Sequence, residues 1–198
     1  MKILLSAFEP FGGEKVNASQ EALKLIVPRD GMELIKITVP TVFGLAGKTL
    51  LEAVRRERPE VVICLGQASG RAAVTPERAA LNVRDAAIPD NAGYQPQDEP
   101  VVPGAPAAYF STLPLKAMTA AARQAGFAAE ISNSAGTFVC NDLMYSLLHA
   151  LGREFPSVRC GFIHIPACVP SDQAPQTPVM PSKTAAAAIE TMLAALRK

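Results

Sequence analysis

Val61-Val62-Ile63-Cys64-Leu65-Gly66 is apolar at every position. A strand with one wet face alternates apolar and polar residues, so a run without alternation marks a strand covered on both faces. Lys2 to Phe8, apolar apart from Lys2 and Ser6, reads as a buried first strand. Leu34 to Val39 does alternate, with Leu34, Lys36 and Thr38 against Ile35, Ile37 and Val39, and suits a half-buried strand. Val158 to Ile165 reads as a further strand, as do Ala79 to Val83 and Ala128 to Ser132. Helical segments lie between them. One runs from Asn17, a capping residue with Gln20 three positions on, to about Val27. Others run from Thr41 or Val42 to Arg58 before Pro59, from Leu113 to Gln124 before Gly126, from Phe138 to Leu151 before Gly152, and from Lys183 to Arg197. Strands alternating with helices predict an α/β fold whose largely parallel sheet is covered on both faces. The sequence has no internal repeat.

With 198 residues, 49% of them hydrophobic, the chain has ample material for one core, and a single domain over residues 1–198 is expected. Charged residues at 19% and aromatics at 6% describe a globular rather than a disordered chain. Lys and Arg number 19 against 18 Asp and Glu, a net charge of +1 that draws the protein neither to nucleic acid nor to an anionic membrane. The apolar start, Met1 to Phe8, is too short for a signal peptide and is interrupted by Glu9-Pro10. No stretch has the length needed to cross a bilayer. A cytoplasmic location follows as an expectation. The four cysteines (Cys64, Cys140, Cys160 and Cys168) are then expected to be reduced thiols.

From Ile88 to Pro106 the chain is rich in proline and contains Asp90-Asn91. A long loop of this kind beside a compact domain is more often functional than not, as a lid or an interface.

Cys140 falls in the first turn of the helix that follows Gly136, where unpaired N–H groups favour a thiolate and can stabilise an oxyanion. Burial in the core is the competing reading, because Met144, Leu147 and Leu151 share that helix face. Cys64 and Cys160, inside apolar strands, read as core. There are only two histidines. His149 sits late in a helix, where a cation needs no special explanation. His164 ends a strand just before Pro166, where a parallel sheet places ligands and a general base is useful; a core histidine is the alternative. Glu77 is a candidate to orient an imidazole, or else a surface partner of Arg71 or Arg78.

Three other patterns carry no such signal. Gly44-Leu45-Ala46-Gly47-Lys48-Thr49 looks like the end of a phosphate loop but has Val42 where the pattern needs glycine. Ser6 and Ser134 lack the G-x-S-x-G setting of a serine nucleophile. His164 and Cys168 straddling a proline make a weak zinc pair, unsupported by CxxC or HExxH. No metal or cofactor is expected.

Phe8-Glu9-Pro10-Phe11-Gly12-Gly13 follows the first strand, so its two phenylalanines lie at the same sheet edge and suit the walls of a flat slot. With Asn17, this stretch begins a series that resembles the pyroglutamyl peptidases, cysteine peptidases that remove an N-terminal 5-oxoproline. The series continues with Val39-Pro40-Thr41-Val42-Phe43, Gly66-Gln67-Ala68 through Arg71, Thr75-Pro76-Glu77-Arg78 and Ile88-Pro89-Asp90-Asn91. It ends with Gly104 through Tyr109, Ala135-Gly136-Thr137-Phe138-Val139-Cys140-Asn141 and Gly161-Phe162-Ile163-His164-Ile165-Pro166.

The resemblance implies a three-layer α/β/α sandwich around a largely parallel or mixed sheet. It implies Cys140 as nucleophile, His164 as base and Glu77 as the residue that orients it. It implies a ring pocket of Phe8, Phe11, Thr41, Ile88, Phe138 and Val139, with Gln67 hydrogen-bonding the lactam. Substrates would be small peptides with an N-terminal pyroglutamate, and a homotetramer would be the common assembly. An inactive binding protein on the same scaffold is the alternative, and the intact triad speaks against it. The chain departs from the usual pattern at Ala87, where many relatives carry arginine, at Ala167-Cys168, where an aromatic is usual, and at Ser69, where glycine is common.

Overall fold

A computed structural model of the chain describes residues 1–169 and 176–197. Four parallel strands form most of its main sheet: β1 (Lys2–Phe8), β2 (Glu33–Val39), β3 (Val61–Gln67) and β7 (Arg159–Ile165). The fifth, β4 (Thr75–Pro76), runs antiparallel on β7 at the edge, so the order is β2-β1-β3-β7-β4. The sheet is therefore mixed.

The unbroken apolar runs are explained by what covers them. On one face, helices α1 (Ala18–Leu25), α3 (Leu115–Gln124) and α5 (Ser182–Ala194) pack on Ile3, Leu5, Ile63, Leu65, Ile163 and Ile165. On the other, α2 (Leu45–Glu57) and α4 (Val139–Glu154) pack on Leu4, Val62, Cys64, Cys160 and Phe162. Alternate residues of each strand feed opposite apolar bodies, as the period of two requires. The α/β/α sandwich is the arrangement expected.

Local differences from the sequence reading have tertiary causes. Helix α2 starts at Leu45 rather than Thr41, because residues 41–44 are drawn into other bonds. Thr41 donates its hydroxyl to the Glu9 carbonyl (3.0 Å), and the Phe43 N–H donates to Asp90 (3.0 Å). Gly44 then turns with φ of 70°, left-handed backbone that glycine adopts at no steric cost. Helix α4 runs through Gly152 to Glu154. Residues 128–132 form no ladder and make two isolated bridges, Val74 with Ala129 and Glu77 with Ser132.

The long loop is held at both ends and along its length. Strand β5 (Ala79–Leu81) pairs antiparallel with β6 (Ala108–Phe110) at its base. Asn82 accepts from the Val102 N–H (2.9 Å) and donates to the carbonyls of Val102 (2.9 Å) and Ala105 (3.2 Å). Asp90 accepts from the N–H groups of Phe43, Ala92 and Tyr94. On helix α4, Tyr145 donates to the Pro106 carbonyl (2.5 Å), and His149 Nδ1 lies 2.9 Å from the Tyr109 hydroxyl. Among the described residues no helix is long and apolar enough to cross a membrane.

Candidate active site

Strands β1, β2, β3 and β7 end together, and the chain leaving their C-terminal ends surrounds a cavity of about 300 Å³. This is where open parallel sheets form sites, because the loops diverge there. Its lining includes Cys140 and His164 together with Phe8, Phe11, Thr41, Gln67, Ile88 and Phe138. The structure thus brings together residues separated by as much as the span from Phe8 to His164.

The aromatic walls brace one another. Phe11 lies 5.9 Å from Phe138, centroid to centroid, and Phe43 meets Phe138 edge-on at 5.4 Å. Phe8 does two jobs: it lines the cavity and, 2% exposed, also packs on Phe162 at 6.3 Å. Thr41 ties the walls together, and Asn17 adds a second donor to the same Glu9 carbonyl (3.1 Å) while its side chain caps α1 through the Ser19 N–H (2.9 Å). That capping matches the sequence expectation.

Val139 is placed differently from the other expected pocket residues. It is fully buried among the residues between α4 and the sheet and is absent from the cavity lining. Residues that the sequence reading did not put in the pocket also line it, among them Asn17, Asp85, Ala87 and Thr137. The loop 84–88 reaches the site because the Asp85 N–H donates to the Thr137 carbonyl (3.0 Å) and Thr137 Oγ1 donates back to Asp85 O (2.7 Å). No local sequence signal marks such a clasp.

Glu77 is not a surface residue. It is fully buried, and Oε1 accepts from His164 Nδ1 at 2.7 Å and from Arg71 Nη1 at 2.5 Å. Burial pushes its pKa up, but His164, Ser132 and Arg71 together bring it below the ordinary carboxylate range. Nδ1 must carry the hydrogen to donate to a carboxylate, which leaves Nε2 with its lone pair. Burial lowers the His164 pKa, with Arg71 contributing in the same direction against the pull of Glu77.

Cys140 is the second residue of α4, and its sulfur approaches Gly66 so closely that a Cβ there would lie 3.0 Å from it. Gly66 pairs in register with His164, so the sulfur sits beside the strand position next to the imidazole. Burial pushes the Cys140 thiol up to about 12, and the nearby Glu77 adds to the shift. Desolvation in this apolar cavity thus works against the thiolate that a helix start would favour. Cys64, pushed up to about 12 by burial, and Cys160, pushed well above its ordinary value, sit in the core as expected.

The neighbours of Cys140 anchor it. Asn141 is fully buried and holds the Leu81 N–H (2.7 Å) and the carbonyls of Leu81 and Val83 (both 2.9 Å). Asp142, also fully buried, accepts from Arg84 Nε (2.6 Å) and from the Gly44 N–H (2.7 Å). Gln67 is fixed too: its oxygen accepts from the Ala18 N–H (2.7 Å) and its nitrogen donates to Ser69 Oγ (3.1 Å). Of the departures from the family pattern, Ala87 faces the cavity, whereas Ala167 is buried with its carbonyl bonded to the Met180 N–H (2.8 Å).

Comparison with known proteins agrees with the fold. The family model described as pyroglutamyl peptidase matches residues 1–198. The pyrrolidone-carboxylate peptidase of Streptomyces coelicolor is 50% identical over 98% of this chain and 91% of its own. That of Levilactobacillus brevis is 46% identical over 100% and 96%. The crystal structure of Bacillus amyloliquefaciens pyroglutamyl peptidase I superposes with a TM-score of 0.92 at 41% identity, covering 98% of this chain and 96% of that one. A mutant pyrrolidone carboxyl peptidase from Pyrococcus furiosus gives 0.91 at 38% identity, over 100% and 98%. With the family's model matched from end to end and its solved members sharing the whole fold, this chain belongs to the pyroglutamyl peptidase family of cysteine peptidases.

Proposed function

We propose that this chain removes N-terminal pyroglutamate from peptides with Cys140 as nucleophile, His164 as general base and Glu77 as the carboxylate that orients it. The observation that carries the reading is the buried Glu77–His164 bond of 2.7 Å at a cavity that Cys140 also lines. Burial raises the Cys140 pKa and lowers that of His164, and both directions favour a neutral thiol and a neutral imidazole at rest. His164 Nε2 takes the thiol proton as the sulfur attacks the carbonyl carbon that bears the ring, so no charged pair has to wait in the apolar site. Free N–H groups of the first turn of α4 face the negative charge that develops on the carbonyl oxygen. The imidazolium, stabilised by Glu77, then gives its proton to the departing amine. Water hydrolyses the acyl-enzyme with His164 again as base.

The pocket suits the ring. A 5-oxoproline has no charged amine, so it wants apolar faces and a few fixed polar groups at its edge. Phe8, Phe11, Ile88 and Phe138 supply faces; Thr41 and Gln67 supply the edge. The Gln67 oxygen is engaged by Ala18 and one nitrogen hydrogen by Ser69, so the second nitrogen hydrogen serves the lactam carbonyl. The chain acts as one peptidase domain over residues 1–198, in the cytoplasm and as a homo-oligomer, a tetramer by family resemblance. Phe110, 68% exposed at the end of β6, is an apolar side chain that such an assembly would cover.

Hydrolysis of a pyroglutamyl coumarin amide under reducing conditions tests the reading. The parent protein is expected to release the fluorophore and Cys140→Ser to release none. A folded, reduced parent without activity, or an active Cys140→Ser variant, would overturn it.

A further inference from the structure

Arg71 reaches Glu77 from the turn after β3, where its own N–H bonds the Ala68 carbonyl (3.3 Å). Its Nη1 donates to Glu77 Oε1 and to Thr75 Oγ1, both at 2.5 Å. The oxygen that takes this bond is the one that takes the His164 Nδ1 hydrogen, at 2.7 Å. The guanidinium and the imidazole are thus joined through a single atom. Glu77 is fully buried and the Arg71 side chain is 30% exposed, so the arginine is the side of this cluster that meets water.

A buried carboxylate next to one imidazole has two ways to lose its uncompensated charge. It can hold a proton itself, or it can hold the imidazole in its charged form. The second outcome is harmful to a base, because an imidazolium has no lone pair to accept the thiol proton. A fixed cation on the same oxygen removes the need for either. The geometry points to Arg71 as a positioning residue that keeps Glu77 ionised and His164 unprotonated together, and so sets the pH below which the peptidase fails. This inference rests on reading His164 as the base.

Among the described residues, Glu77 and Thr75 approach His164 from the segment of β4, Arg71 from the turn after β3 and Cys140 from α4, the Phe162 ring lies 4.6 Å from the imidazole, and Asp85 lines the same cavity from the loop 84–88. Burial lowers the proton affinity of His164 most, and Glu77 and Arg71 are the formal charges that then act on it in opposite directions. Removing Arg71 leaves only the anion, and that affinity must rise. Guanidinium and imidazole share a bonded oxygen, and charges this close in a partly buried site shift a titration by about one pH unit or more after screening at the exposed end.

The test is the pH dependence of kcat/KM for a pyroglutamyl amide. Arg71→Met keeps the aliphatic stem and removes the charge; its acid limb is expected to move to higher pH by about one unit, a tenfold change in proton affinity. Arg71→Lys keeps the charge and is expected to hold the limb near its original position. Arg71→Gln can still donate to Glu77 without a charge, and its limb should move as that of Arg71→Met does. A purely structural role would lower the whole profile and leave the limb in place, and that result overturns the inference. The unmodified protein provides a check that does not depend on the folding of any variant. NMR titration should place the His164 imidazole below the ordinary histidine value of 6.5. Titration at or above that value overturns the inference as well. Activity retained by His164→Gln would sink the reading of the base itself; inactivity there with an unmoved limb in Arg71→Met would sink only the role of Arg71.

Discussion

Gly66→Ala adds one methyl group at the point where fold and site meet. The glycine lies in β3, beside His164 on β7, and its backbone is not in the left-handed region. Alanine is therefore allowed by the backbone, and with free space it would stabilise the protein by about 0.4–1 kcal/mol through the unfolded chain. There is no free space. The new Cβ would lie 2.7 Å and 2.8 Å from two atoms of the Phe162 ring and 3.0 Å from Cys140 Sγ. Phe162 is fully buried between Phe8 and His164, so the ring moves only by disturbing both. Overpacking of this kind costs about 1–3 kcal/mol, which exceeds the backbone gain. For a chain of this size each kcal/mol moves Tm by about 2–4 °C, and a net loss of about 1–2 kcal/mol predicts a drop of about 2–8 °C. The kinetic effect should be larger in proportion, since a sulfur or imidazole misplaced by about 1 Å reduces turnover on the order of a hundredfold. Thermal melting followed by circular dichroism, with turnover measured well below Tm, reads both. An alanine variant with unchanged or higher Tm and parental kcat would refute the packing argument at its root.

Two further predictions concern charge. His164 and Glu77 both have lower pKa values in the folded protein than their ordinary 6.5 and 4.5. Between the folded and unfolded values the unfolded chain binds more protons, so stability rises with pH in each window. Falling pH should thus erode Tm first below about 6.5 through His164 and again below about 4.5 through Glu77, and a Tm that stays flat from pH 7 to pH 4 would contradict both directions. Asp142→Asn should cost about 3 kcal/mol or more, because it leaves the mostly buried Arg84 without its counter-charge. Chemical denaturation measures this, and a midpoint within experimental error of the parent would show the pair to be dispensable.

The four parallel strands and the five helices were legible because each carries its own periodicity: an unbroken apolar run such as Val61 to Leu65 needs no partner to declare itself, whereas the short β4 and β6 were not read and the strand expected over 128–132 did not form. Cys140 and His164 were legible as candidates because their positions, a helix start and a strand end, are local properties. What remained hidden depends on distant partners. Arg71 was legible as a partner of Glu77 only at the surface; nothing near it says that the guanidinium turns inward to the oxygen held by His164, and nothing near Asp142 announces Gly44. The late start of α2 has the same origin, since Thr41 and Phe43 are claimed by Glu9 and Asp90. Val139 shows the opposite error: adjacent in sequence to two cavity residues, it points into the core, because successive helix positions face different sides.

The sheet divides the apolar interior into two bodies, and the cavity with its sulfur, imidazole and aromatic walls adjoins the one beneath α2 and α4. Helices α3 and α5 sit on the far side and contribute no residue to the cavity lining. For a protein engineer this is a division of labour between copy number and competence. Diversity introduced beneath α3 and α5 should change how many molecules of each variant survive in a cell while leaving each survivor an unaltered catalyst. Diversity beneath α4 should change both at once. A mutational scan that records abundance and turnover separately would then draw the plane of the sheet without any coordinates.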